Sequence, residues 1–442
     1  MERQTEKTGL NIGVKSFITA IAVIFALMVL TYGLTFVIPG GGISFKKWIL
    51  SPILVLGAEG NVSLLAIIAF LLVIGGVFNC LDKCGLMKYM LDVITDRFGK
   101  EKYKLVAYIT LFFMAMGAFI GSYEEVVPLV PIVVALAIRL GFDALTGIGM
   151  SLLAIGCGFA AGICNPFTVG VAQELAELPM FSGMWYRVIA FLMVYALLVT
   201  FLIRYAKRIE RVVDNQETQK KFVENFKMTQ ALYCFAFIMG FGIFIVLSSV
   251  FITVLQDYTI IIVAVTFLLS GLIATIVSGR GGNIKKTFAV GAGNVFPAVF
   301  MILMANSIRY VMEEGNILDT ILHGMVDIAG ELPRWSVILF IYLIVLVMNF
   351  FISSGSAKAF LLMPLIIPIA NAFDISTQLC IMAFAFGDGF SNVFYPTNPV
   401  LLIGLGVVDL DYGTWVKWNW KFQGLNLLLT SGLLLLGLVI GY

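Results

Sequence analysis

The sequence predicts an all-α, polytopic membrane protein made of two inverted repeats, each with a re-entrant helical hairpin and a discontinuous transmembrane helix. Three observations predict it. Of 442 residues, 60% are hydrophobic and 12% charged, with a mean hydropathy of +1.02, so most of the chain must be solvated by lipid. Short motifs recur in order: Gly156-Cys157-Gly158-Phe159 returns as Gly387-Asp388-Gly389-Phe390 at an offset of 231 residues, and Asn165-Pro166 returns as Asn398-Pro399 at 233. Gly60-Asn61-Val62 also returns at 233, as Gly293-Asn294-Val295. Finally, two long apolar stretches are each interrupted by a polar centre.

Taken in order, spanning helices are expected at 14–38, 61–80, 181–207, 229–253, 258–279, 287–311 and 413–440, each long enough to cross the hydrocarbon. The run from Phe17 to Ile38 exceeds a signal-peptide core and no Ala-x-Ala cleavage site follows it, so it reads as a retained span. Residues 103–140 surround Gly121-Ser122-Tyr123-Glu124-Glu125, and residues 334–373 surround Ser353-Ser354-Gly355-Ser356-Ala357-Lys358. Each reads as two half-length helices meeting at a polar tip. Non-helical backbone at membrane depth is tolerated only inside protein or beside water. Helices 144–178 and 375–409 contain the breaks Asn165-Pro166-Phe167-Thr168 and Pro396-Thr397-Asn398-Pro399. Proline removes a ladder donor and disfavours helix in the preceding residue, so each asparagine marks an opening.

Lysine and arginine placement sets the orientation. With the N-terminus cytoplasmic and the C-terminus outside, the loop 82–104 carries six basic residues inside and the linker 204–227 carries seven, while Lys46, Lys47, Arg187, Arg309 and Arg334 fall outside. The extra helix 229–253 inverts the second copy. Segments 82–98 and 313–330 would be interfacial helices. The chain then divides into a first-repeat scaffold (1–102), a first transport unit (103–207), a cytoplasmic linker (208–228), a second scaffold (229–333) and a second transport unit (334–442).

Several chemistries are disfavoured. Cys80-x-x-x-Cys84 has no second pair and His323 is far away in sequence, so the cysteines read as packing residues without haem, zinc or cluster chemistry. No basic stretch interleaves with aromatics, which argues against nucleic acid. An intramembrane enzyme would need Ser354 or Ser356 with Lys358 as its dyad, and a channel would need a continuous polar path; neither pattern is developed.

Ionisable groups at membrane depth are costly and mark function. These are Glu124, Glu125, Lys358 and Asp388. An offset of 234 matches Gly121-Ser122 to Gly355-Ser356 and sets Glu124 opposite Lys358. Either the pair locks the tips together, or the two charges hold a substrate of both signs. Asp388 stands where the first copy has Cys157, with a substrate amine, a sodium ion, a proton or a purely structural bond as its partner. Hydroxyls and side-chain amides give two candidate Na+ clusters: Ser122 with Asn165 and Thr168, and Ser354 and Ser356 with Thr397 and Asn398. The same groups would equally serve as helix caps.

Gly121-Ser122-Tyr123-Glu124-Glu125-Val126-Val127-Pro128, Asn165-Pro166-Phe167-Thr168-Val169-Gly170, Ser354-Gly355-Ser356-Ala357-Lys358 and Phe386-Gly387-Asp388-Gly389-Phe390-Ser391-Asn392 resemble the YfcC-like branch of the anaerobic C4-dicarboxylate carrier (DcuC-like) proteins, within the ion transporter superfamily. The resemblance runs from about residue 14 to the end. It implies a homodimer with a scaffold and an elevator-like transport domain, in the cytoplasmic (inner) membrane. Tyr123 occupies a tip position where a small residue is usual. The expected function is secondary transport of a charged amino acid, basic such as arginine or ornithine, by antiport or ion coupling. The alternative is a sodium- or proton-coupled C4-dicarboxylate or other carboxylate carrier. The substrate site would comprise Ser122, Tyr123, Glu124, Glu125, Asn165, Ser354, Gly355, Ser356, Lys358, Asp388, Asn392 and Asn398. No organic cofactor is expected, only Na+ or H+ as coupling ion; the partners are a small-molecule substrate and the lipid bilayer.

Overall fold

The computed structural model describes residues 14–38, 41–58, 62–121, 123–210, 224–248, 258–317 and 332–442, with positions 252, 320, 328 and 330. Among them, every regular element is helical. Nine helical segments are long and apolar enough to cross a membrane, by length and composition.

Outside the two tip-bearing regions lie α1 (Val14–Val37), α2 (Phe45–Leu54), α3 (Val62–Cys84) and α4 (Leu86–Phe98), then α11 (Phe226–Ser248), α12 (Thr259–Val277), α13 (Ile284–Asn294) and α14 (Phe296–Glu314). Helix α3 packs on α12 and α13, while α1 packs on α14, so these helices of the two sequence halves pack on each other. Small residues set the approach: a Cβ on Gly75 would stand 2.6 Å from the Gly291 carbonyl oxygen, and one on Gly291 would stand 2.2 Å from that of Gly75. Glycine stripes of this kind drive helix association where lipid is as apolar as the side chains.

The remaining elements carry the tips and breaks. In the first tip-bearing region α5 (Lys102–Ile120) leads through a 3₁₀ turn over Glu124–Leu129 into α6 (Val130–Arg139). Gly121 ends α5 at φ +72°, a conformation that glycine adopts without strain. The first broken helix is α7 (Ala144–Ile148), a π-turn, α8 (Ala154–Ala161), an opening, a second π-turn and α9 (Val171–Leu175). After α10 (Met184–Ile209), the second copy supplies α15 (Arg334–Phe351) and α16 (Gly355–Ala372), then α17 (Thr377–Asn392) and α18 (Pro399–Val407), and finally α19 (Tyr412–Ile440).

The two broken helices are the innermost elements. Helix α8 lies against α17, α5 against α8 and α15 against α17, and the apolar window of Ala144–Leu175 is 100% buried.

Three expectations need correction. Arms α5, α15 and α16 are 19, 18 and 18 residues long, not half-length; at 1.5 Å per residue each approaches the hydrocarbon thickness. The span expected at 287–311 lies within one crossing-length segment, Ile284–Glu314, but it is interrupted at Val295, because Pro297 can join a helix only near its start, and the Gly293-Asn294-Val295 motif marks the junction. An unforeseen short helix, α2, is started by Ser44, whose side chain accepts from the Lys47 amide. The segment 313–330 lies largely outside the described residues, as do His323 and Gly60-Asn61.

Candidate functional site

Lys358 stands in the first turn of α16, and its ammonium is fully buried. It donates to Asp388 Oδ1 on α17 and to Asn349 Oδ1 on α15, so three elements of one repeat meet at one cation. The Asn349 amide in turn donates to the Asp388 carbonyl (3.0 Å), to Ser391 Oγ (2.6 Å) and to Asn392 Oδ1 (2.9 Å). Asn392 Oδ1 also accepts from Asn398 Nδ2 at 3.0 Å, which extends the network to the opening of the second broken helix. Losing one member of a buried ion pair costs about 3–5 kcal/mol, because the other is left uncompensated.

The second tip closes over this pair through Gly355. A Cβ there would stand 2.8 Å from Asp388 Oδ2 and 2.7 Å from Thr168 Cγ2. Thr168 belongs to the opening of the first copy, so the second tip touches the breaks of both. Asp388 Oδ2, Thr168 Oγ1 and Thr397 Oγ1 are buried and have no hydrogen-bond partner among the described residues.

At the first tip, the missing side chain of Gly121 admits Asn165, whose Oδ1 would lie 2.3 Å from a Cβ at that position. Asn165 Oδ1 accepts from the Phe167 amide (2.9 Å), its Nδ2 donates to the Phe159 carbonyl (3.3 Å), and the Cys164 amide donates to the Ala118 carbonyl (3.0 Å). The buried Tyr123 hydroxyl donates to the Asn392 carbonyl at 3.2 Å, so this bulky tip residue reaches across to the second copy. Ser122 and the side chains of Glu124 and Glu125 lie outside the described residues.

Other expected residues act as caps. Ser354 Oγ accepts from the Ala357 amide at 3.4 Å, and Asn398 Oδ1 accepts from the amides of Val400 and Leu401. Ser356 is half-buried beside them in α16, Asn392 joins the Asn349 network, and Thr397 is buried at the opening. Thr168, grouped by sequence with the first tip, stands against Gly355 of the second.

Two pairings are revised. Lys358, set opposite Glu124 by the repeat, bonds to Asp388 and Asn349 of its own copy. The match of Asp388 to Cys157 also shifts. A Cβ on Gly156 would meet Val393 Cγ1 at 2.2 Å, and one on Gly389 would meet Ala160 Cα at 2.3 Å. These contacts are reciprocal at an offset of 233, the offset that also relates Asn165 to Asn398 without a gap. At that offset Asp388 corresponds to Ile155. Arg187, counted outside by charge placement, is fully buried in α10 and donates to the carbonyls of Ile163 and Phe181 and to the Tyr442 hydroxyl.

Asn349 was missed by sequence reasoning. Its signal was an amide inside an otherwise apolar stretch, Leu343 to Phe351, which lipid would not tolerate unpaired. A cavity beside the tip, lined in part by Arg309, Glu313, Ile352, Ala357 and Phe360, lies between α14 and the second hairpin.

Known proteins resemble this chain over most of its length. Residues 56–439 match the family model described as "C4-dicarboxylate anaerobic carrier". The Escherichia coli (strain K12) protein named "Putative basic amino acid antiporter YfcC" is 29% identical over 396 residues, covering 85% of this chain and 78% of that relative. An uncharacterized protein of Haemophilus influenzae is 24% identical over 397 residues, covering 85% and 76%. A solved structure, "Crystal structure of the Alcanivorax borkumensis YdaH transporter reveals an unusual topology", is 16% identical with a TM-score of 0.48, covering 96% of this chain and 99% of that one. The model match spans most of the chain and the described helices are those of a polytopic membrane protein, so this chain belongs to the C4-dicarboxylate anaerobic carrier family, whose members are carriers and not enzymes.

Proposed function

We propose that this carrier moves a basic amino acid, such as arginine or ornithine, across the cytoplasmic membrane by antiport or ion-coupled alternating access. The observation that carries the reading is the convergence of the second tip and both helix openings on the buried Lys358, Asp388 and Asn349. Paired interrupted helices meeting at one place are the architecture of a transport site. Because Lys358 pairs with Asp388, the acids of the proposed site that remain are Glu124 and Glu125, and this surplus of acidic residues favours a cationic substrate. The name of the Escherichia coli relative supports the same class.

On this reading Ser122, Tyr123, Glu124, Glu125 and Asn165 form the first half of the site, with Ser354, Gly355, Ser356, Asn392 and Asn398 in the second. The reciprocal contacts of Gly156 and Gly389 support an internal two-fold and hence inverted repeats. Tips that lie on helix openings support re-entrant hairpins, with 103–207 and 334–442 moving as one elevator against the scaffold of a homodimer. The cavity between α14 and the second hairpin lies at that sliding boundary. The N-terminus is cytoplasmic in this arrangement.

Uptake of labelled arginine, ornithine, aspartate and succinate into proteoliposomes tests the substrate class. Arginine or ornithine uptake, accelerated by internal substrate, is expected; uptake of succinate alone would overturn the amino-acid reading. The family description favours that second reading, in which Lys358 and Arg309 would serve a dicarboxylate.

A further inference from the structure

The oxygens that hold Lys358 are ligands suited to a hard monovalent cation: a carboxylate and a side-chain amide oxygen, with the unpartnered Asp388 Oδ2 and Thr168 both meeting the place where a Gly355 Cβ would stand. An ammonium carries the same charge and presents three donors. Asp388 and Asn349 answer two of them, and all three side chains are buried. The cation also does a mechanical job, since it ties both arms of the second hairpin to α17, and Asn349 relays the tie to Asn392 and Asn398.

A buried ion pair is no more stable than a well-packed apolar pair of similar volume, so stability alone does not explain this one. Its position is costly as well: the first turn of α16 is the positive end of the helix dipole, where a cation is disfavoured. Asp388 offsets that cost, and would do so equally for a free cation. The first copy has Ile155 at the position of Asp388 and an acid, Glu124 or Glu125, at that of Lys358, so the arrangement exists in one repeat only.

We propose that the Lys358 ammonium is a tethered counter-cation, occupying the place that a free monovalent coupling cation would otherwise take. Closure of the second hairpin therefore needs no sodium, and truncating Lys358 converts the place into a binding site for a small monovalent cation or a primary ammonium. The inference rests on the transport reading only in calling that cation a coupling ion.

The test reads cation binding and not uptake, so it fails or succeeds independently of the substrate assignment. Thermal unfolding of the full-length protein in nanodiscs is followed in sodium, lithium, potassium or methylammonium chloride, with choline chloride fixing the ionic strength. The wild-type midpoint is expected to be the same in all five. Lys358→Ala is expected to unfold earlier in choline and to recover by several degrees, saturably, in sodium, lithium or methylammonium. Lys358→Ala/Asp388→Asn is expected to lose that response. A sodium-dependent wild-type midpoint would overturn the proposal, as would a folded Lys358→Ala that ignores every cation. So would failure to recover Lys358→Ala in any of these salts while Lys358→Met/Asp388→Asn folds.

Discussion

Gly389 and Ala160 cross backbone to backbone: a Cβ on Gly389 would stand 2.3 Å from Ala160 Cα and 2.4 Å from its amide nitrogen. Where the crossing recurs with the copies exchanged, the obstacle to Gly156 is a methyl, Val393 Cγ1 at 2.2 Å. Pseudo-symmetric positions thus differ in what a larger residue would meet. Gly389→Ala should cost about 1–3 kcal/mol or more, since backbone must shift, and Gly156→Ala less. Val393→Ala should restore much of the stability of Gly156→Ala. Ala160→Gly should restore only part of that of Gly389→Ala, because the Cα and nitrogen remain. Thermal unfolding midpoints of the four variants decide it, and equal rescue in both pairs would contradict the asymmetry.

Glu210, just past the end of α10, accepts from Lys102 and from the Tyr103 hydroxyl at the start of α5. The Lys102 bond, then the Tyr103 bond, holds its carboxyl below the ordinary 4.5. A depressed folded-state value stabilises fully above the unfolded value, and the contribution is lost as pH falls through the folded one. The site is solvent-exposed, so the effect is small and screened by salt. The difference in unfolding midpoint between wild type and Glu210→Gln should be flat through neutral pH, shrink below about 4.5, and be smaller in high salt. A difference that vanishes already at neutral pH would remove this ion pair from the account.

Gly355 sits between Asp388 Oδ2 and the Thr168 methyl, 2.8 and 2.7 Å from where a Cβ would stand. Gly355→Ala should lift the tip off both and abolish uptake while leaving the scaffold folded. Thr168→Ser deletes the methyl and keeps the hydroxyl, so it should return part of the activity in the Gly355→Ala background. Proteoliposome uptake by the double variant is the measurement. No recovery would mean that the Asp388 contact alone blocks closure.

Spans were legible because lipid imposes about 20 apolar residues per crossing, and breaks because Pro166 and Pro399 cannot continue a ladder. Tip depth was not, since arms of 18 and 19 residues carry no mark of their tilt. The offset of 231 matched glycine to glycine along the sequence, whereas packing pairs Gly156 with Val393 and Gly389 with Ala160. Lys358 and Asp388 were both singled out as costly, but their pairing depends on how α16 and α17 are rotated against each other, which no local pattern encodes. Charge counting places Arg187 in the outer group but cannot see that it is buried against the carbonyls of Ile163 and Phe181.

Asn349 follows from the same blindness, since a single amide in an apolar helix announces that it has partners without naming them. Its oxygen holds Lys358, and its two amide hydrogens serve the Asp388 carbonyl, Ser391 and Asn392. Asn349→Leu keeps the volume and strands these groups, at about 1–3 kcal/mol for unmet buried hydrogen bonds. If its main task is to hold the ammonium, then removing Lys358 first should make the second loss cheaper. Asn349→Leu in the Lys358→Met/Asp388→Asn background is therefore expected to cost less than in wild type, by an amount typical of side chains in one network. Unfolding midpoints for this cycle check it. Strict additivity would mean that Asn349 braces α15 against α17 through Ser391 and Asn392 alone, and that the ammonium is held by Asp388 without help.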